Sequence, residues 1–295
     1  MRLFLGQYYQ IDGSRLTNTR TRRSVALSAD EAARFEQQVF DLLTKIHADE
    51  EVGRPILRSL WIGSQIQILP GDTMVNVNAS PLDAETAGEQ VSFRGRTALT
   101  TGKGSAATVF VSLAMLRGLA GPAAQPDAVL LHEIVHAARA TLGVMKHTAL
   151  GRFDNFEEWA AIMLSNMYVS SKYNSTSFRG DHQVTQLRTL GSLTHQNLAM
   201  SNPGLAEASM YRYVPMFRQE ILTLVGDSEA LTLKLKDAKC AFNPLRVAYN
   251  GYDGATEDGG RFASFPGFGQ LTPETFAQVA ARAMKQASPI FSVDR

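Results

Sequence analysis

Five consecutive residues, His132-Glu133-Ile134-Val135-His136, have the types and spacing for metal-assisted hydrolysis. Histidines four apart lie one turn apart on a helix face, where their imidazoles can share a zinc ion. The glutamate after the first can reach a water held by that ion. Zinc lowers the pKa of such a water and polarises a carbonyl, and the carboxylate takes the proton; the chemistry is amide-bond cleavage. A bare H-E-x-x-H arises by chance in roughly one chain in a hundred of this length, so its setting decides. The flanks are uncharged, Val129-Leu130-Leu131 before and Ala137-Ala138 after. Pro126 falls at the first helical position, Asp127 in the first turn and Gly143 at the stop. That predicts a helix buried on nearly all faces with two histidines and a glutamate in its middle. Such groups are costly to bury unless paired or bound to metal.

A catalytic zinc keeps three protein ligands and a fourth position for water. The extended pattern H-E-x-x-H-x-x-G-x-x-H fails, with Arg139 in place of the glycine and Leu142 in place of the third histidine. Downstream, Asn155-Phe156-Glu157-Glu158-Trp159-Ala160-Ala161 opens an apolar helical run. It resembles the second helix of thermolysin-like peptidases, where a glutamate is the third ligand. It departs from them at Ala161, where an acid often stands. On a helical wheel Phe156, Ala160, Met163, Leu164 and Met167 define the core face, with Glu157 at its edge and Glu158 pointing away. Glu157 is therefore the expected ligand, and Glu158 a solvated charge favoured by the helix dipole. Asp154 and His147 stay open as ligands if the turn folds back.

The elements that must hold these residues belong to a chain of 295 residues with formal net charge +1 and 44% hydrophobic residues, compatible with one large domain. Near-neutrality gives no electrostatic case for nucleic acid. Cys240 is the single cysteine, so no intramolecular disulfide forms. No apolar run approaches a membrane span, and the apolar start is too short for a cleaved signal peptide. Export would go by a route without such a peptide, with a secretion apparatus or its chaperone as partner; otherwise the protein stays in the cytoplasm.

Residues 1–27 read as a flexible basic segment, with Arg15, Arg20, Arg22 and Arg23 among polar residues. Ser28 and Glu31 form a capping-box pair that opens a helix through Ala32, Phe35, Val39, Leu42 and Ile46. A second helix covers Ile56 to Ile62, and Gln65-Ile66-Gln67-Ile68-Leu69 alternates as a strand. Pro70-Gly71-Asp72 reads as its turn, with Val75 and Val77 in the returning strand. Thr101-Gly102-Lys103-Gly104-Ser105 lacks the spacing of a phosphate loop. The following Thr108-Val109-Phe110-Val111 is read either as an ordinary sheet strand or as the cleft edge on which an extended substrate adds.

From Val52-Gly53-Arg54-Pro55-Ile56-Leu57 through Pro70-Gly71-Asp72 and Gly102-Lys103-Gly104-Ser105 to Leu130-Leu131-His132-Glu133-Ile134-Val135-His136-Ala137, the order of parts resembles the bacterial secreted-effector zinc metallopeptidases, which include type III secretion effectors. The resemblance covers roughly residues 50 to 170, by motif order and spacing. It implies an effector or toxin that cleaves a particular protein.

Such peptidases usually place a Tyr, His or Arg opposite the glutamate to stabilise the oxyanion. Tyr168, Tyr173, Arg179 and His182 are candidates; an Asp181–His182 pairing would orient that ring, and His182 is preferred although no geometry in the sequence chooses among them. Beyond about residue 185 the chain reads as helical: Met216 to Val225, then a helix capped by Asp227 or Ser228, then one starting at Thr272-Pro273. The glycine-rich stretch between Asn250 and Gly269 is a lid or a surface loop.

The expected architecture is one α+β zincin-like metallopeptidase domain over residues 28–295, a small sheet and motif helix joined to a helical C-terminal lobe. The expected site is His132, His136 and Glu157 on Zn2+, with Glu133 and His182 catalytic and a protein or peptide as substrate. The alternatives are a zinc hydrolase of a non-peptide amide and a zincin-like binding protein without catalysis.

Overall fold

The computed structural model describes residues 1–6, 8–18, 21, 23–59, 65–72, 77–81, 90–93, 96–98, 104, 106–113, 125–175, 177–180, 187–189, 213–214 and 216–249. It is an α+β structure built on a five-stranded sheet. Strands β1 (Arg2–Phe4), β2 (Tyr9–Ile11), β5 (Ile66–Pro70), β9 (Ala107–Val111) and β6 (Val77–Pro81) lie side by side in that order. β2, β5 and β9 run parallel, whereas β1 pairs antiparallel to β2 and β6 antiparallel to β9. Hairpins β3 (Arg15–Thr17) with β4 (Ser24–Ala26) and β7 (Gln90–Phe93) with β8 (Arg96–Ala98) stand apart.

The first 27 residues are not a free arm. Tyr9 and Ile11 alternate with Gln10 and are buried, and the Tyr9 hydroxyl donates to the Leu57 carbonyl at 3.1 Å. The basic stretch folds as the β3–β4 hairpin, docked by a parallel bridge from Thr17 to Gly71. Short strands with one buried position per turn of pleat carry too little apolar content to stand out from a polar tail by composition.

Helix α1 (Ala29–His47) starts on the Ser28–Glu31 capping box and buries Phe35, Val39, Leu43 and Ile46. Helix α2 (Gly53–Ser59) is the described part of the second predicted helix. β5 alternates buried and half-buried positions as its pattern requires. Its neighbours, however, are β2 and β9, and the strand through Val77 lies beyond β9 rather than returning along β5. β9 is thereby interior, all five of its residues buried, and cannot be the cleft edge; β6 closes the described sheet on that side. A strand buried on both faces reads as a near-continuous apolar run, as Val109-Phe110-Val111 does.

The motif helix α3 (Pro126–Leu142) packs across β9 and β6 on one side and against α1 and α4 (Phe156–Tyr173) on the others. It begins with Pro126 in the first turn and ends at Gly143 in the left-handed conformation, φ 70°. Asn174 ends α4 likewise, φ 47°. A hairpin of β10 (Ser177–Arg179) and β11 (Leu187–Thr189) follows. Helices α5 (Arg218–Asp227), α6 (Glu229–Leu235) and α7 (Pro244–Tyr249) form the described part of the C-terminal region, with α5 on α4 and α6 on α2. The Thr272 helix and the Asn250–Gly269 stretch lie outside the described residues. No described helix is long and apolar enough to cross a membrane.

Gly104 explains part of the glycine-rich turn before β9. Its φ of +86° suits glycine, and a Cβ there would run into the Thr141 carbonyl oxygen near the end of α3. Gly104→Ala is expected to destabilise the chain by about 2 kcal/mol or more, read as a lower denaturant midpoint with an unchanged slope.

Candidate metal centre

α3 is buried along nearly its whole length, and only Val129, Glu133 and Leu142 among its residues from Asp127 onward are half-buried. His132 and His136 face α4 with their rings edge to face, centroids 4.8 Å apart. Their Nε2 atoms stand 3.1 Å from each other, and Glu158 Oε2 lies 3.2 Å from His132 Nε2 and 3.4 Å from His136 Nε2. These three residues form a group that could hold a metal ion, the sole such group among the described residues. An ion held tetrahedrally at about 2.0–2.1 Å from each donor needs donors about 3.3 Å apart. The triangle has that size.

Glu158 takes the place predicted for Glu157. α4 is buried on nearly every side, from Phe156 and Trp159 through Ser170, so it has no outward face for a helical wheel to find. Asn155 caps the helix, its side chain accepting from the Glu158 backbone N–H at 3.1 Å. Glu158 then meets the histidines, while Glu157 turns a step away and is 1% exposed. There its carboxylate accepts from Arg139 Nε at 2.8 Å and Nη2 at 3.0 Å, and from the Lys146 backbone N–H. Both other ligand candidates, His147 and Asp154, are exposed and stand outside the group.

Glu133 is half-buried, its carboxylate 4.0 Å from His132 Nε2, so it borders the group from the same side as the donor atoms. The oxyanion candidates separate. Tyr168 and Tyr173 both donate to Asp127, at 2.6 Å each to Oδ2, and so anchor the start of α3. Arg179 is brought to the site: the Asn166 side chain grips its backbone N–H and carbonyl, and Nη1 lies 3.4 Å from His132 Nδ1. His182 lies outside the described residues. Nothing in the local pattern marks Arg179 over its neighbours, because Asn166 lies thirteen residues before it.

Burial drives the His132 imidazole down to about 3, against the Glu158 hydrogen bond and with help from the Arg179 charge. His136 is also penalised by burial, but its hydrogen bond to Glu158 and the carboxylate charges outweigh this and raise it. Burial would raise Glu158, yet its bonds to the two histidines hold it well below the usual carboxylate range. One imidazole is thus kept neutral, the form that binds metal.

No protein-family model, curated protein or solved structure matches this chain.

Two outcomes follow from this geometry. Where the group takes up zinc, Glu158→Gln should weaken that uptake, measured as zinc per chain after reconstitution, because an amide is a far poorer ligand at that vertex. In the metal-free protein, His132 holds no proton between its ordinary 6.5 and about 3, whereas the unfolded chain does. Stability contributed there is present above pH 6.5 and lost as pH falls through that window, by up to about 1.4 kcal/mol per pH unit per proton. Denaturation midpoints from pH 7 to 4 should show this fall, and His132→Gln should flatten it.

Proposed function

We propose that the chain is a zinc-dependent hydrolase of the H-E-x-x-H kind, acting as an endopeptidase on a protein substrate. The observation that carries this reading is the His132–His136–Glu158 triangle, of tetrahedral size, with the Glu133 carboxylate at its border. The donor set of two imidazoles and one carboxylate suits zinc and leaves a position for water. Bound there, zinc would supply Lewis acidity to the scissile carbonyl and lower the pKa of the water.

The chain's own residues do the rest. Glu133, at the rim and half-buried, takes the water proton on a carboxylate oxygen and passes it to the leaving amine. His132 and His136 stay neutral while they act as donors, and Arg179 opposes protonation of His132. Tyr168, Tyr173 and Lys45 hold Asp127 and with it the start of the helix that carries both histidines. The resemblance to secreted-effector peptidases supports a protein substrate, a zincin-like arrangement of sheet and helix, and delivery to a target cell by a signal-peptide-independent route.

Glu133→Gln should retain about one zinc per chain and lose cleavage by about 100-fold or more. The readout is new N-termini released from a protein mixture incubated with each form. Retained cleavage in that variant would sink the mechanism.

A further inference from the structure

Behind the three donor groups lies a second cluster that the proposed chemistry does not use. Arg139 follows His136 by three residues, so His132, His136 and Arg139 form one stripe on α3 facing α4. Its guanidinium binds Glu157 through Nε and Nη2, and Nη2 also donates to Asp227 Oδ2 at 2.9 Å and the Val144 carbonyl at 2.8 Å. Lys146 Nζ reaches Asp227 Oδ1 at 2.5 Å. Arg139, Glu157 and Asp227 side chains are each about 2% exposed or less.

Two features argue against plain stabilisation. A buried ion pair is often no more stabilising than apolar residues of the same volume. Arg139 Nη1 is buried with no partner among the described residues, which adds a penalty.

What the cluster does settle is rotation. Adjacent helical residues point about 100° apart, so only one of Glu157 and Glu158 can meet the histidines at a time. With Glu157 held by two parallel N–H bonds to Arg139, the neighbouring carboxylate is directed at His132 and His136. Arg139 is itself held between α4 and the end of α5. Resting on the reading that His132, His136 and Glu158 bind zinc, we propose that Arg139, Glu157 and Asp227 are positioning residues that set the azimuth of α4 and preorganise Glu158 as the third ligand.

The test compares metal affinity with folding. Zinc affinity is measured by competition with a chromophoric chelator, cobalt(II) absorption reports the coordination, and Tm is taken without metal. Glu157→Gln should weaken zinc about 10- to 100-fold, the usual range for lost outer-shell partners. The pair Arg139→Met with Glu157→Leu removes the charges while filling the volume. It should keep a Tm near wild type yet still bind zinc at least about 10-fold more weakly, with an altered cobalt spectrum. If that double variant folds and binds zinc as tightly as wild type, packing alone orients Glu158 and the proposal is overturned. Wild-type protein that takes up no zinc would instead overturn the metal-site reading beneath it.

Discussion

Everything in this structure turns on one constraint: an otherwise apolar helix, buried between a sheet and a second helix, carries a polar stripe of His132, His136 and Arg139. Those groups are almost fully enclosed. In that setting each needs a partner, since an unpaired polar or charged group costs far more than the burial around it returns. α4 answers with two successive glutamates, one for the imidazoles and one for the guanidinium. The sheet and α1 pack on α3 and α5 packs on α4 around this contact. The capped ends of both helices fix where along their axes it occurs.

Local signals carried much of this far. Pro126, Gly143, the Ser28–Glu31 box and the alternation of Ile66 and Ile68 each act within a few residues, and the structure places the ends of α1 and α3 and the strand β5 accordingly. The two histidines were legible for the same reason, since a spacing of four on one helix needs no tertiary knowledge. The third member of the group was not. A wheel assigns faces by assuming that one side of a helix is wet, and α4 is enclosed on nearly all sides. Glu158, read as a solvated charge, meets the two histidines instead.

Long-range placement was beyond local pattern as well. β9 is separated from β5 by a long stretch of chain, yet lies beside it in register, Ile66 against Ala107. Sequence order suggested a hairpin partner for β5 and left β9 as either an ordinary strand or a cleft edge. The mixed sheet instead sets β9 between β5 and β6, an interior place where it is buried. The same limit hid Arg179. Only the Asn166 side chain, gripping the Arg179 backbone from α4, brings that guanidinium to His132.

The donor group sets two imidazoles and one carboxylate around one point, a set that could hold a metal ion. Glu158 is held ionised, the Glu133 carboxylate borders the same space, and His132 is kept neutral by burial and by Arg179. Burial opposes a proton on His136, while its hydrogen bond to Glu158 and the nearby carboxylates favour one. A metal ion bound there would compete with that proton, which ties metal affinity to pH. It would also satisfy both imidazole nitrogens and the Glu158 oxygen at once, which a single proton cannot do. The behind-lying cluster of Arg139 and Lys146 with Glu157 and Asp227 is neutral in itself. The fold thereby keeps two adjacent glutamates in different electrostatic roles: Glu157 against the Arg139 guanidinium, Glu158 against two imidazoles.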